Sequence, residues 1–195
     1  MFFYKKSFKG CFLIKDMTNI VVIGDVMLDR YYYCKIRNNP ESSAPAYISS
    51  RKSIIHRPGG AGNVAANLTS LKADVKLVSL VGDDTDSKIL TDSLDELNIH
   101  YKFIYDKRRE TIVKIRALDS LDGRYHFRFD IEDKLEISEN HVEEIIAEAK
   151  NSKFIIISDY NKGIINSKLM SKLKSLNICW IILNHIGRIT IAITP

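Results

Sequence analysis

Arg57-Pro58-Gly59-Gly60-Ala61-Gly62-Asn63-Val64-Ala65 opens an amphipathic helix on a cluster of glycines. Val64, Ala65, Leu68 and Leu71 follow the i, i+1, i+4, i+7 pattern of one buried stripe. Glycines let the backbone approach a ligand closely, and the start of a helix presents free N–H groups. Asn63 adds a side chain that both donates to and accepts from hydroxyls. The plainer reading is that the glycines only permit close packing of helix on sheet.

Working outward, buried strands alternate with amphipathic helices. Ile20-Val21-Val22-Ile23 ends at Gly24-Asp25, as a parallel strand does at a ligand-facing edge. Polar, proline-interrupted residues run from there to Pro45, and an alternating piece spans Ala46 to Ile55. After the glycine helix, Leu77 to Val81 is a second buried strand, closed by Gly82-Asp83-Asp84. Ile89, Leu90, Leu94 and Leu97 then mark a helix. Tyr101 to Tyr105, Ile112 to Leu118 and Tyr125 to Phe129 read as three strands of an antiparallel insert, with Asp122-Gly123 as a hairpin turn. The alternation resumes at Ser138, a candidate N-cap before Val142, Ile145, Ile146 and Ala149. Phe154 to Ile157 is a strand ending at Ser158-Asp159-Tyr160, Asn166 to Leu176 a helix, and Ile178 to Leu183 a strand. The expected fold is α/β: a doubly wound, mostly parallel sheet of four central strands with a small antiparallel β layer.

Composition narrows the classes of function. The chain has 195 residues, 45% hydrophobic and 27% charged, and a mean hydropathy of −0.11. It fits one ordinary globular domain. No window approaches the ~20 apolar residues of a membrane helix. The net charge of +5 owes +3 to residues 1–16, with four lysines against Asp16, which leaves too little for a nucleic-acid footprint. Residues 1–16 lack the h-region of a secretory signal. Met17 stands directly before the first strand and makes a natural alternative start to Met1, so 1–18 reads as a non-structural extension and 19–195 as the folded unit. Cys11, Cys34 and Cys179 are scattered and odd in number, which excludes a disulfide framework or a cysteine zinc site. The five histidines show no metal spacing, and no Ser-His-Asp or Cys-His set is arguable.

The chemistry gathers at strand ends, where open parallel sheets bind ligands. Asp25 and Asp29, Asp83 and Asp84, and Asp159 all lie there, although turn and N-cap roles are an equal reading for several. His56, Arg57, Lys114, Arg116, Arg128 and Lys162 supply positive charge suited to phosphate. Lys114 and Arg116, two apart, share a strand face. Together with the glycine turn they point to a phosphorylated polyol. Gly60-Ala61-Gly62-Asn63-Val64-Ala65 also satisfies the G-x-G-x-x-A dinucleotide fingerprint, with Asp83 about 20 residues on. Its context differs, because Arg57-Pro58 precedes it where a buried first strand should end. No Gly-Lys-Ser/Thr of a phosphate-binding P-loop occurs.

Three stretches, Gly24-Asp25-Val26-Met27-Leu28-Asp29-Arg30-Tyr31, Arg57 to Ala65, and Ser158-Asp159-Tyr160-Asn161-Lys162-Gly163, resemble the ribokinase-like (PfkB-type) carbohydrate kinases in order and spacing. Within them the match is closest to the D-glycero-β-D-manno-heptose-7-phosphate kinases, the kinase half of bifunctional ADP-heptose synthases. The resemblance runs from about Asn19 to Leu183, the N-terminal part of such a kinase. It implies phosphoryl transfer from ATP, with Mg²⁺, to the anomeric hydroxyl of a heptose 7-phosphate in the pathway to the lipopolysaccharide core. By motif, Asp29, Gly59, Gly60 and Asn63 would hold the sugar. Lys114 and Arg116 would contact it from a lid strand, and Lys162 with Asp159 would face phosphate. The β layer, about 44–57 and 101–130, resembles the family's lid, which often pairs across a homodimer.

The departures from the family are specific. Asn184-His185-Ile186 stands where the family usually has Asp-Pro-Lys, no Asn-x-x-Glu segment follows it as in the family, and no Gly-Ala-Gly-Asp catalytic-base motif occurs. The chain therefore reads as the substrate half of a kinase, cut off or frame-shifted after about Leu183. It has no catalytic base of its own and no metal ligand, and it is inactive alone. A non-catalytic sugar-phosphate binding module is the alternative, and a dinucleotide-binding oxidoreductase a distant one. Absent export signals, unpaired cysteines and a need for ATP suggest the cytoplasm, with neither nucleic acid nor membrane as partner.

Overall fold

A computed structural model describes residues 19–184 and 189–192, so the expected extension at 1–18 lies outside the described residues. In chain order the strands and α-helices are β1 (Ile20–Gly24), β2 (Val26–Arg37), β3 (Ala46–Ile48), β4 (Ile54–Gly60), α1 (Ala61–Ser70), β5 (Val75–Val81) and α2 (Thr85–Glu96). Then come β6 (His100–Tyr105), β7 (Val113–Asp119), β8 (Tyr125–Ile131), α3 (Glu139–Ala149), β9 (Phe154–Asp159), α4 (Ser167–Lys174), β10 (Cys179–Asn184) and β11 (Ile189–Ala192). The main sheet has the order β11-β10-β9-β1-β5-β6, parallel except for the β10–β11 pair. Connections that alternate between the faces of a parallel sheet make it doubly wound.

The run Ile20-Val21-Val22-Ile23 shows why this strand is apolar at every position. Ile20 and Val22 pack with Ala61, Ala65, Leu90 and Leu94 under α1 and α2. Val21 and Ile23 pack with Val142, Ile145, Leu169 and Leu173 under α3 and α4. Both faces are covered, so period-two alternation disappears. Leu71 and Leu97, expected in the buried stripes, instead stand exposed just past the ends of α1 and α2. Each stripe runs out with its helix.

The helix starts follow local hydrogen bonding. Asp84 caps α2 in a reciprocal capping box with Ser87, Ser138 accepts from the His141 amide, and Asn166 accepts from the Leu169 amide. Asp84 also accepts from the Thr111 amide at 2.8 Å, which ties the head of α2 to the approach to β7.

The second sheet corrects two expectations. Residues 26–37 form the long strand β2, its backbone of pairing. It runs parallel to β7 along one edge and antiparallel to β4 and β3 along the other. Tyr31-Tyr32-Tyr33 among charged residues reads as polar, yet aromatic residues suit a half-buried pleated surface, and pairing on both edges decides the outcome. Tyr101–Tyr105, expected in the antiparallel insert, belongs to β6 at the edge of the parallel sheet, with Phe103 and Ile104 buried in its two cores. The second sheet, the expected lid, thus keeps most of 44–57 and 101–130 as β3, β4, β7 and β8, gains β2 and loses 101–105. Among the described residues the main sheet adds β6 and β11 to the four expected strands.

Asp106 anchors the turn that leads from β6 toward the lid. Its carboxylate accepts two hydrogen bonds from the Arg108 guanidinium and lies 3.8 Å from Arg109 Nε. Arg108 in particular, against the opposing effect of burial, holds the Asp106 carboxyl down to about 2 from an ordinary 3.8. A folded value below the unfolded one means that folding favours the ionised form. The contribution is complete above about pH 4 and disappears as pH falls toward 2. Thermal melting between pH 5 and pH 2 is expected to fall less steeply for Asp106→Asn than for the wild type, from a lower starting point. Parallel curves would show that Asp106 plays no such part.

Candidate functional site

The turn from β4 into α1 brings the lid onto the carboxyl edge of the main sheet. Gly60 adopts φ 57° and ψ −126°, and the Ala61 amide then donates to the Asp25 carbonyl at 2.9 Å. No side chain caps α1, and the Asp25 carbonyl takes that role for its first amide. A Cβ at Gly59 would come within 2.6 Å of Asp29 Oδ2; the glycine leaves room for that carboxylate.

Two adjoining cavities share Asp29 and Asn63 as a common wall. One, of about 500 Å³, is also lined by Tyr31, His56, Arg57, Ser93 and Glu96. The other, of about 320 Å³, is lined by Met27, Gly60, Lys114, Arg116, Arg128, Tyr160 and Lys162 as well. The basic residues singled out in the sequence therefore divide, with His56 and Arg57 in the first and the remaining four in the second.

Asp29 Oδ1 accepts from Arg116 Nη1 at 2.6 Å, and the Arg116 guanidinium lies 5.3 Å from the centre of the Tyr31 ring. Lys114, only 7% exposed, donates to Asp130 at 3.0 Å and Glu132 at 3.1 Å. Arg128 forms a two-pronged pair with Asp130, and Lys162 donates to Glu132 at 2.6 Å. Asp130 and Glu132 supply the counter-charge that burial of Lys114 requires. On the far side, Arg30 donates to His56 and pairs with Asp86, joining the lid to α2. Burial first, then Arg30, lowers the His56 imidazole below its ordinary value, which suits an acceptor.

Asp25 is wholly buried at the end of β1. Its Oδ2 accepts from the Tyr160 amide at 2.8 Å and the Lys162 amide at 3.2 Å, which fixes the loop after β9. Burial pushes the carboxyl above its ordinary value, while those amides pull it down. Asp159, expected to face phosphate, accepts instead from the Asn161 amide at 2.8 Å and lines neither cavity. Its carboxylate shapes the loop that carries Lys162. Asp84 is a cap, as its alternative reading had it.

The structure thus gathers Asp29, Gly60, Asn63, Lys114, Arg116 and Lys162 around one cavity, with Gly59 behind Asp29. Sequence reasoning missed Asp130 and Glu132. Their signal was present, because Arg128-Phe129-Asp130-Ile131-Glu132 alternates charged and apolar residues opposite Lys114-Ile115-Arg116. The glycine cluster follows a lid strand rather than a strand of the parallel sheet, so it lacks the setting of a dinucleotide fingerprint. Among the described residues no group of three or more His, Cys, Asp or Glu could hold a metal, and no helix is long and apolar enough to cross a membrane.

A family model described as pfkB family carbohydrate kinase matches residues 17–177. The bifunctional protein HldE of Vibrio parahaemolyticus serotype O3:K6 is 38% identical over 151 residues, covering 76% of this chain and 31% of that protein. The bifunctional protein HldE of Vibrio vulnificus strain CMCP6 is 34% identical over 175 residues, covering 85% of this chain and 36% of that protein. Among solved structures, phosphofructokinase-2 from Escherichia coli in complex with fructose-6-phosphate superposes with a TM-score of 0.66 at 17% identity, covering 86% of this chain and 55% of that one. The chain thus spans about a third of the length of the curated relatives it matches and about half of that solved structure.

Proposed function

The chain belongs to the pfkB family of carbohydrate kinases, and from that premise we propose that it is the sugar-binding part of an ATP-dependent kinase acting on the anomeric hydroxyl of a heptose 7-phosphate. The observation that carries the reading is the convergence of Asp29, Asn63 and the glycine turn with four cations on one cavity of about 320 Å³. Likeness to proteins named HldE and the motif resemblance favour the heptose.

In this reading Asp29 and Asn63 bind sugar hydroxyls against the α1 turn, while Lys114, Arg116 and Lys162 meet negative charge. Asp159 serves by holding the Lys162 loop. ATP would supply the phosphoryl group and Mg²⁺ would neutralise its charge. The carboxylates beside the cavity are each paired with a cation, so none among the described residues is assigned to the metal. Residues 1–195 carry no Gly-Ala-Gly-Asp base motif, and this polypeptide is proposed to bind without turnover, in the cytoplasm. The outer face of the lid, with Ile36, Phe127 and Phe129 exposed around Tyr47, would pair two copies.

Calorimetric titration with heptose 7-phosphate tests the proposal, with ADP release and sedimentation followed on the same protein. Binding, no ADP and a concentration-dependent dimer are expected. Absence of sugar-phosphate binding would refute the assignment, and ADP release would show that the chain carries its own catalytic base.

A further inference from the structure

Glu132 lies one residue past β8 and joins two parts of the molecule. Its Oε1 accepts from Lys162 Nζ at 2.6 Å, on the loop after β9, and its Oε2 accepts from Lys114 Nζ at 3.1 Å, on the lid strand β7. Both lysines are anchored. Lys114 is buried and held also by Asp130, and the Lys162 backbone is clamped by Asp25. One carboxylate thus bridges two cations on the wall of the cavity, the geometry in which two oxygens of a phosphate would sit.

Resting on the sugar-phosphate reading of this cavity, we propose that Glu132 is a built-in stand-in for the ligand's phosphate, which a phosphorylated sugar must displace from Lys114 and Lys162. Displacement exchanges one charge-assisted set of hydrogen bonds for another. A dianion gains more from two ammonium groups than the monoanionic carboxylate it replaces, whereas an uncharged sugar has nothing to offer them. Glu132 therefore sets affinity: it lowers the affinity for every anion that takes its place, weak anions most, and leaves a ligand that does not reach the two lysines unaffected. It also latches the lid to the Lys162 loop until the ligand arrives.

The test compares Glu132→Gln with the wild type, using heptose 7-phosphate, the unphosphorylated heptose and inorganic phosphate as probes in calorimetric titrations. The amide keeps the size and removes the charge. Heptose 7-phosphate and inorganic phosphate are each expected to bind roughly tenfold more tightly to the variant, with the unphosphorylated sugar unchanged. Glu132→Asp, too short to reach both lysines, is expected to fall between. A merely structural role would weaken all three probes together and lower the melting temperature. Unchanged or weaker binding of heptose 7-phosphate to a folded Glu132→Gln, where the wild type binds it, would overturn the inference and leave the proposed function standing. If the wild type binds none of the probes, the proposed function itself fails, and this inference with it.

Discussion

Gly60→Ala is expected to lower stability by about 3–5 kcal/mol and to abolish binding in the neighbouring cavities. Two independent costs fall on this one position. At φ 57° and ψ −126° its backbone lies outside the regions open to residues with a Cβ. The added carbon would also overlap the Asp25 carbonyl oxygen and lie 2.7 Å from Met27 Cε. The methionine end can swing away. The carbonyl cannot, because it accepts the Ala61 amide at 2.9 Å and so starts α1. Relief would move the helix start, and with it Asn63. Gly123→Ala separates the two costs: its φ is 71°, but nothing lies within 4 Å of a Cβ there. That variant is expected to lose only about 1 kcal/mol. Chemical denaturation of both variants checks the pair, and equal losses would show that contact with Asp25 contributes nothing.

The same contrast between local and distant causes explains which parts of the fold were legible. Ile20–Ile23 and the α1 segment could be read because hydrophobic runs, glycine chemistry and period-3.6 patterning are written in adjacent residues. The cap at Ser138 was legible for the same reason. Strand β6 was not, since Tyr101–Tyr105 has the same alternation whether it lies beside β5 or in an antiparallel lid. Its partner, 25 or so residues away, decides. Strand β2 was missed because its pairing on both edges, with β7 on one side and β4 on the other, outweighs a polar composition.

At the site, Asp29, Asn63, Lys114, Arg116 and Lys162 were legible as residue types in recurring motifs. Their charge partners were only half legible: the alternation of 128–132 marks charged residues on one face, but what pairs with Lys114 depends on the β7–β8 register that sets Asp130 opposite it. Asp159 shows the opposite limit. Its position at a strand end suggested a ligand contact, yet a carboxylate two residues before a free amide satisfies its own turn first.

Asp29→Asn is expected to weaken sugar-phosphate binding by roughly 30- to 300-fold, about 2–3.4 kcal/mol, with stability changed far less. Asp29 lines both cavities, so any ligand spanning them passes it. One oxygen, Oδ1, is committed to Arg116 at 2.6 Å, while Oδ2 lies against the space that Gly59 keeps open. That second oxygen is the acceptor for hydroxyls in the proposed reading. An amide can present its oxygen to Arg116 or to the ligand: with NH₂ toward Arg116 a donor opposes a donor, and with NH₂ toward the ligand the acceptor for its hydroxyls is lost. The loss of charge also leaves Arg116, over the Tyr31 ring, without its counter-ion. Binding is thus expected to suffer twice. The fold is spared because the Asp29 side chain, 18% exposed, joins no core cluster and its backbone pairing in β2 is unaffected. Titration of wild type and Asp29→Asn with heptose 7-phosphate, alongside their melting curves, gives both quantities. A variant that binds as the wild type does would remove Asp29 from the site. One that loses stability in step with affinity would make it a structural residue of the lid.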